Sequence, residues 1–163
     1  FGYALVDQLI EGAALPSQGA YTRVGTYPHS EVVALVDALA AHTGAPPAEL
    51  YKTFGEHLFG RLAASHPELM GEADALAFLR TIQDHIHVEV QKLYPDAELP
   101  QFDYAADDDA DRVTMTYRSQ RGFGDLAEGL IHGCLAHYGV DAAVERVDLG
   151  ARDGSQVRFT IQR

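Results

Sequence analysis

The spacing of the apolar residues changes near Pro100. Before this residue they recur every three or four positions, which is the period of a helix with one buried face. After it, segments that alternate apolar and polar residues flank one further stretch of helical spacing. Helices that come first and strands that cluster late predict an α+β fold with an antiparallel sheet and an inserted C-terminal helix. We expect residues 1–163 to form a single domain, since no repeat or second composition interrupts them.

Four helices are predicted before Pro100. Their expected spans are residues 6–10 with an end near Gly12, residues 31–44 after an N-cap at Ser30, residues 47–66, and about residues 72–94. The side chains expected to face the core are Val32, Val36, Leu39 and Ala40 in the second helix, Leu50, Phe54, Leu58 and Leu62 in the third, and Leu79, Ile82, Ile86, Val90 and Leu93 in the fourth.

The second part of the chain begins with a strand in which Val113, Met115 and Tyr117 alternate with polar residues. Residues 124–138 return to helical spacing and stop at Gly139, a residue that suits a helix end. Residues 142–149 and 156–162 are predicted to form a β-hairpin around an Asp153-Gly154 turn.

Composition excludes several classes of protein. The formal net charge is -12, and no basic stripe is present, so binding to nucleic acid or to an anionic membrane is disfavoured. The single cysteine, Cys134, cannot form an internal disulfide and fits a reducing compartment. No segment has the length of a transmembrane helix, and no signal peptide is visible at the start, so we expect a cytoplasmic protein.

One short motif carries chemistry. In an extended segment Tyr117, Ser119 and Arg121 project to the same side, where two hydroxyls and a guanidinium can bind carboxylates. Upstream, His87 lies on a helix, and a neutral imidazole can bind iron. A ligand with a central metal and two carboxylates would use both parts, and haem is such a ligand. Taken alone, the same residues also fit a half-buried tyrosine on a strand with polar neighbours at its solvated end.

His85 and His87 cannot chelate one metal together. Two residues apart on a regular helix, their side chains diverge by about 200°. This spacing removes a simple zinc site. Asp107, Asp108, Asp109 and Asp111 lack the spacing of an EF-hand and are better explained as a solvated turn. No Gly-x-Ser-x-Gly elbow for nucleophilic catalysis occurs.

The Tyr-x-Ser-x-Arg pattern with a histidine upstream resembles the haem nitric oxide/oxygen binding (H-NOX) family. The resemblance extends to the Leu93-Tyr94-Pro95 and Pro100-Gln101-Phe102 segments and to Gly122-Phe123. It implies that His87, seven residues before Tyr94, binds the iron of haem b (iron protoporphyrin IX). Tyr117, Ser119 and Arg121 would hold the propionates, and Pro100 would press on the haem. Family members usually open with a further helix. Phe1-Gly2-Tyr3 resembles the segment that follows it, so we expect this helix to be lacking here, either because the chain was trimmed or because the helix is absent or differently built.

The resemblance also implies a function. We expect a gas sensor rather than an enzyme, which binds nitric oxide and signals in trans to a histidine kinase or a cyclic-dinucleotide enzyme. Oxygen-binding relatives carry a tyrosine five residues after the motif arginine, where this chain has Leu126, so oxygen binding is not expected. Two alternatives stay open: a haem-free interaction module of the same fold, and a peroxidase-like haem enzyme, for which no distal acid/base pair is recognisable.

Overall fold

The computed structural model describes residues 2–22, 25–71, 74–106, 109–150 and 153–163. The chain divides into two compact units, residues 1–51 and 52–163. Each unit is described by itself, and the prediction of one sensor domain over the whole chain stays a prediction. Among the described helices, none has the length and apolar character needed to cross a membrane.

The first unit contains helices α1 (Tyr3–Gly12) and α2 (His29–Thr43). The Glu31 carboxylate is 3% exposed and accepts hydrogen bonds from the Ser17 backbone and hydroxyl and from the Tyr21 hydroxyl. The bond from the Ser17 hydroxyl is the main reason that the pKa of Glu31 lies below its usual range. A buried carboxylate is therefore satisfied by the connector between the two helices.

The predicted N-cap of α2 is wrong. The helix begins at His29 after Pro28, which has φ -58° and makes no side-chain cap hydrogen bond, so Ser30 already lies inside the first turn. The proline ring fixes φ near this value, so the helix begins directly after Pro28, one residue before the predicted N-cap. The predicted end is correct, because Gly44 adopts the left-handed conformation with φ 74°.

The second helical region departs from its predicted pattern. Helix α3 (Pro47–Ser65) buries Gly55, Phe59 and Ala63, whereas the predicted core residues Phe54 and Leu62 are 39% and 44% exposed. The buried face is shifted by one residue because glycines allow a close approach. A Cβ added to Gly55 would lie only 2.4 Å from the Leu126 backbone oxygen.

The long fourth helix predicted from the sequence is divided into three consecutive segments: α5 (Ala75–Thr81), a π-helical turn (Ile82–Ile86) and α6 (His87–Leu93). A short helix α4 (Pro67–Met70) precedes them. The predicted start at Glu72 lies outside the described residues. Leu93, predicted to face inward, is 56% exposed. The extra residue of the π turn changes the helical period, so a stripe extrapolated through it reaches the wrong face.

The sheet is antiparallel, with strand order β1-β2-β4-β3. Its strands are β1 (Gln101–Tyr104), β2 (Arg112–Arg118), β3 (Ala143–Asp148) and β4 (Gln156–Gln162), and helix α7 (Gly124–Tyr138) stands between β2 and β3 in the chain. The β2 strand, α7 and the hairpin confirm the prediction, whereas β1 was not predicted. The largest fully buried side chains, all in the second unit, are Phe159, Leu76, Leu79, Met115, Ile161, Val113, Val157 and Cys134.

An ion cluster joins β3 to α7. The Arg146 guanidinium donates to Glu128 at 2.9 Å, to Asp148 at 2.9 Å, and to Asp125. Lys52 lies 3.0 Å from the second oxygen of Glu128. Glu128 is only 9% exposed, so its charge needs these partners.

The crossing of α3 and α7 makes a stability prediction. A Cβ at Gly129 would lie 2.1 Å from the Lys52 backbone oxygen, so Gly129→Ala forces the two backbones apart. We expect it to lower the free energy of unfolding by about 1–3 kcal/mol in urea titrations. Gly60→Ala, in α3 with no atom within 4 Å of the added Cβ, is the control and should raise it by about 0.5–1 kcal/mol. Equal effects would contradict the close crossing.

The start of α5 makes a pH prediction. Asp74 accepts from the Leu76 and Ala77 backbone at 2.8 and 3.1 Å and faces Arg163 at 2.7 Å. The Ala77 hydrogen bond is the main reason that the pKa of Asp74 lies below its usual value. Its contribution is therefore present above the unfolded-state pKa of about 3.9 and is lost as the pH falls through the lower folded-state value.

The matching variants are Asp74→Ala and Asp74→Asn. At pH 7 we expect Asp74→Ala to cost about 1 kcal/mol of unfolding free energy, and this difference from the wild type should shrink below about pH 4. Asp74→Asn keeps an acceptor at the cap and should cost less. A difference between wild type and Asp74→Ala that does not change with pH would contradict the assignment.

Candidate functional site

His87 begins α6 directly after the π-helical turn. Its backbone N–H donates to the Ile82 carbonyl, five residues back, instead of four as in an α-helix. π turns inside α-helices are rare and frequently occur at functional sites. The turn therefore marks the position of the candidate iron ligand within an otherwise regular helical region.

The His87 imidazole is half-buried and poorly satisfied. Its Nδ1 is buried and has no hydrogen-bond partner among the described residues. Burial lowers the pKa of His87, which favours the neutral imidazole, the form that binds metals. His85 is exposed, so the two histidines lie in different environments. A buried nitrogen without a partner is costly unless a ligand engages the ring.

Strand β1 lies between the histidine helix and strand β2. The Phe102 ring is 5.7 Å from the His87 ring and 5.7 Å from the Tyr117 ring. The Phe102 backbone N–H donates to the Gln83 side-chain oxygen at 2.9 Å. These contacts bring the histidine and the Tyr-x-Ser-x-Arg motif to the same end of the second unit.

A second hydrogen bond attaches β1 to the helix before the π turn. The Tyr104 hydroxyl donates to the Leu79 backbone oxygen at 2.7 Å, and burial raises the pKa of Tyr104 to about 12. Sequence reasoning missed Gln83 and β1. A signal was present, since Gln101-Phe102-Asp103-Tyr104 alternates polar and apolar residues over one short strand.

The motif residues converge, although not through the predicted geometry. Strand β2 ends at Arg118, so Ser119 and Arg121 lie in the following turn, and the expected alternation along an extended segment is wrong beyond Tyr117. Tyr117 is 3% exposed. Burial raises its pKa, and a hydrogen bond with the Ser119 side chain and the charge of Arg121 oppose the rise. The Arg121 backbone donates to the Ser119 hydroxyl at 3.2 Å.

Backbone hydrogen bonds join the motif turn to the connection between β3 and β4. Ser119 N–H donates to the Ser155 carbonyl at 2.9 Å, and Gly124 N–H donates to the Gly154 carbonyl at 3.1 Å. Gly122 has φ +66°, and a Cβ on Gly154 would lie 2.6 Å from the Gly122 oxygen. Glycine is required where the two backbones approach this closely.

Two clefts adjoin these residues. The first has a volume of about 510 Å³ and is lined by His87, Pro100, Gln83, Val88, Gln91, Lys92, Leu99 and Gln101. The second has a volume of about 630 Å³ and is lined by Ser119, Arg121, Arg118, Gln120, Glu98, Leu99, Gln101, Ser155 and Gln156. Leu99 and Gln101 line both clefts. The His87 imidazole and the Ser119 and Arg121 side chains therefore line neighbouring clefts, which share Leu99 and Gln101 on either side of Pro100.

Five of the six predicted site residues are thus found in three places, and Leu126 lies apart from them. His87 and Pro100 line the first cleft, Ser119 and Arg121 line the second, and Tyr117 packs against Phe102 between them. Leu126 is half-buried on α7 and is not among the described residues that line either cleft. Asp107 and Asp108 of the predicted solvated turn lie outside the described residues.

This set of donors fits an iron porphyrin. Among the described residues no group of three or more histidine, cysteine, aspartate or glutamate side chains could hold a metal ion. A porphyrin brings four ring nitrogens to its iron and leaves axial positions, one of which a single imidazole can take. The guanidinium and hydroxyls of the second cleft suit carboxylates. The half-buried, neutral imidazole of His87 beside the first cleft is the observation that supports this fit.

Solved structures with the same fold are numerous. The chain aligns with the crystal structure of the Fe(II) unliganded H-NOX protein from K. algicida at TM-score 0.93 and 37% identity, covering 99% of this chain and 87% of that chain. The IWP-051-bound H-NOX from Shewanella woodyi in the Fe(II)CO state gives 0.83 and 40%, covering 100% and 86%. An H-NOX protein from S. oneidensis in the Fe(II)NO state gives 0.86 and 26%, covering 99% and 89%.

Sequence comparison agrees with the structural one. No curated protein sequence matches the chain. The family described as Haem-NO-binding matches residues 1–146, which is most of the chain, and the four-stranded antiparallel sheet with its helices is the fold of the aligned H-NOX structures. The chain therefore belongs to the Haem-NO-binding (H-NOX) family, whose members are haem-based gas sensor domains.

Proposed function

We propose that this chain is a haem-based sensor of nitric oxide in which His87 binds the iron of haem b. The observation that carries the proposal is the neutral, half-buried His87 imidazole, whose Nδ1 has no hydrogen-bond partner among the described residues and which follows the π turn. The exposed His85 offers no comparable site. A bound haem would supply an iron able to bind a diatomic gas, and His87 would hold that iron.

The second cleft would hold the propionates. Arg121 offers a planar fork of donors, and the Ser119 hydroxyl lies beside it. The Tyr117 phenol is buried and already interacts with Ser119, so it orients that hydroxyl in addition to any contact of its own. Pro100, which lines the first cleft together with His87, would contact the haem.

The proposed output is a change of the His87 helix rather than a chemical conversion. A π turn carries one residue more than an α-helical turn, so its loss shifts the register of the helix that follows. If His87 is released when nitric oxide binds, α6 can move relative to α5 through this turn. Such a movement would bias a contact with a partner protein, which we propose to be a histidine kinase or a cyclic-dinucleotide enzyme acting in trans. A cytoplasmic location is part of the proposal, supported by the free Cys134.

The deciding experiment is the absorption spectrum of the protein with added haemin, then reduced, with and without nitric oxide. We expect stoichiometric haemin uptake with a sharp Soret band and a shifted spectrum under nitric oxide. Absence of uptake would instead favour a haem-free interaction module of the same fold. Turnover of peroxide well above that of free haem would favour a haem enzyme.

The first prediction from this proposal concerns the axial ligand. His87→Gly should abolish tight haemin binding or make it depend on added imidazole, because the cavity left by the ring can accept free imidazole. His85→Gly is the matched control, two residues away and exposed, and should bind haemin as the wild type does. Haemin titration followed at the Soret band measures both. Equal loss in the two variants would show that the ligand is assigned wrongly.

The second prediction concerns gas selectivity. Oxygen bound to ferrous haem carries partial negative charge and is stabilised by a hydrogen-bond donor, whereas nitric oxide needs none. Leu126, the position implied by the family resemblance, has no donor. We expect the ferrous protein to bind nitric oxide and to show no stable oxygen complex in air.

Matched variants at residue 126 separate the hydroxyl from the ring. Leu126→Tyr should raise oxygen affinity, while Leu126→Phe adds nearly the same volume without a donor and should not. The readout is the ferrous absorption spectrum in air and its decay. A persistent oxygen complex in the wild type, or equal gains with both variants, would contradict the role given to Leu126.

A further inference from the structure

The motif arginine already has a carboxylate partner. Arg121 Nη2 lies 2.8 Å from Glu98 Oε2, and both residues line the second cleft. Glu98 belongs to the segment between α6 and β1, two residues before Pro100. Its side chain is 83% exposed, whereas that of Arg121 is 33% exposed. The protein thus presents its own carboxylate, from the solvent side, to the guanidinium assigned to a propionate.

We propose that Glu98 is an internal stand-in for the propionate, which pairs with Arg121 in the haem-free protein and is displaced when haem is loaded. This inference rests on the proposed function. It adds a residue that the family motif does not contain, and it concerns cofactor loading rather than gas binding.

Competition follows from the chemistry of the two carboxylates. A guanidinium binds a carboxylate best with two parallel hydrogen bonds, so one carboxylate in that geometry uses the same edge that a second would need. The other arginine of the cleft offers no alternative, since Arg118 Nε is 2.8 Å from Asp103 Oδ2. Among the described residues that line this cleft, both guanidinium groups are therefore paired within the chain.

The strength of the Glu98–Arg121 ion pair decides whether Glu98 or a propionate occupies the guanidinium. Exposed ion pairs contribute little, so the Glu98–Arg121 ion pair is favoured over the unpaired guanidinium by about two- to fivefold. A propionate on a porphyrin that His87 already holds is tethered nearby and competes at a high effective concentration. Glu98 therefore slows and weakens loading modestly without preventing it. Displacement would also release the segment that carries Pro100 from its tie to the motif turn.

The test compares two variants that each remove one negative charge and one ion pair of the same length. Glu98→Gln frees Arg121, whereas Asp103→Asn frees Arg118, whose pair has similar exposure. Haemin is mixed with haem-free protein, and the association rate and dissociation constant are measured from the Soret band. We expect Glu98→Gln to bind about two- to fivefold faster and tighter than Asp103→Asn, which controls for the change in net charge.

Two further measurements locate the effect. With haemin dimethyl ester, which lacks free carboxylates, the advantage of Glu98→Gln should disappear. In an Arg121→Ala background, Glu98→Gln should change nothing. Equal gains in Glu98→Gln and Asp103→Asn would reduce the effect to net charge and overturn the proposal. Weaker haemin binding by Glu98→Gln would also overturn it, because Glu98 would then support the loaded site.

Failure of the proposed function is distinguishable from failure of this inference. If the wild type takes up no haemin, or takes it up equally without His87, the haem proposal itself is wrong. If uptake depends on His87 but not on Glu98, only the role of Glu98 is wrong.

Discussion

The contact of strand β1 with the histidine helix is the constraint on which the site depends. Phe102 lies between the His87 and Tyr117 rings, and its backbone is held by the Gln83 side chain. Because β1 pairs with β2, this one strand joins the helix that carries the imidazole to the strand that leads into the Tyr-x-Ser-x-Arg turn. It also places Pro100 and Leu99 between the two clefts. Without β1, the two halves of the proposed haem site would be separate features of the fold.

Much of the second unit follows from local pattern. Helix α7 and the β3–β4 hairpin were predictable because their periods are strong and because glycines mark their ends. The buried face of α3 was not, since Gly55 is buried by a backbone contact that apolar spacing does not report. The π turn was missed for a related reason, because one added residue changes helical register without any residue type that signals it.

Only part of the candidate site could be predicted from the sequence. A histidine, a proline and the Tyr-x-Ser-x-Arg motif are local features, and resemblance to a family identified them together. The Glu98–Arg121 pair spans 23 residues and the Gln83–Phe102 hydrogen bond spans 19. Such contacts exist only once β1 lies beside the helix and beside β2, so they depend on tertiary packing rather than on a sequence pattern. The sequence therefore suggested His87, Pro100 and the Tyr-x-Ser-x-Arg motif as candidate cofactor-binding residues, whereas Gln83 and Glu98, which contact this region through tertiary packing, were not predicted.

The structure also separates rigid parts of the site from adjustable ones. Tyr117 is buried against the core, and the backbone of the motif turn is held by close contact with Gly154, so the backbone of the proposed propionate site is fixed, while the Arg121 side chain is paired with Glu98. The histidine side is different, because a buried, unpartnered nitrogen and a π turn each cost free energy. The backbone of the motif turn is already fixed, whereas His87 has an unpartnered nitrogen and follows the π turn. Ligand binding can therefore lower the free energy more on the side of the histidine helix. In the proposed haem site, changes at the iron would then be expressed in α6 rather than in the sheet.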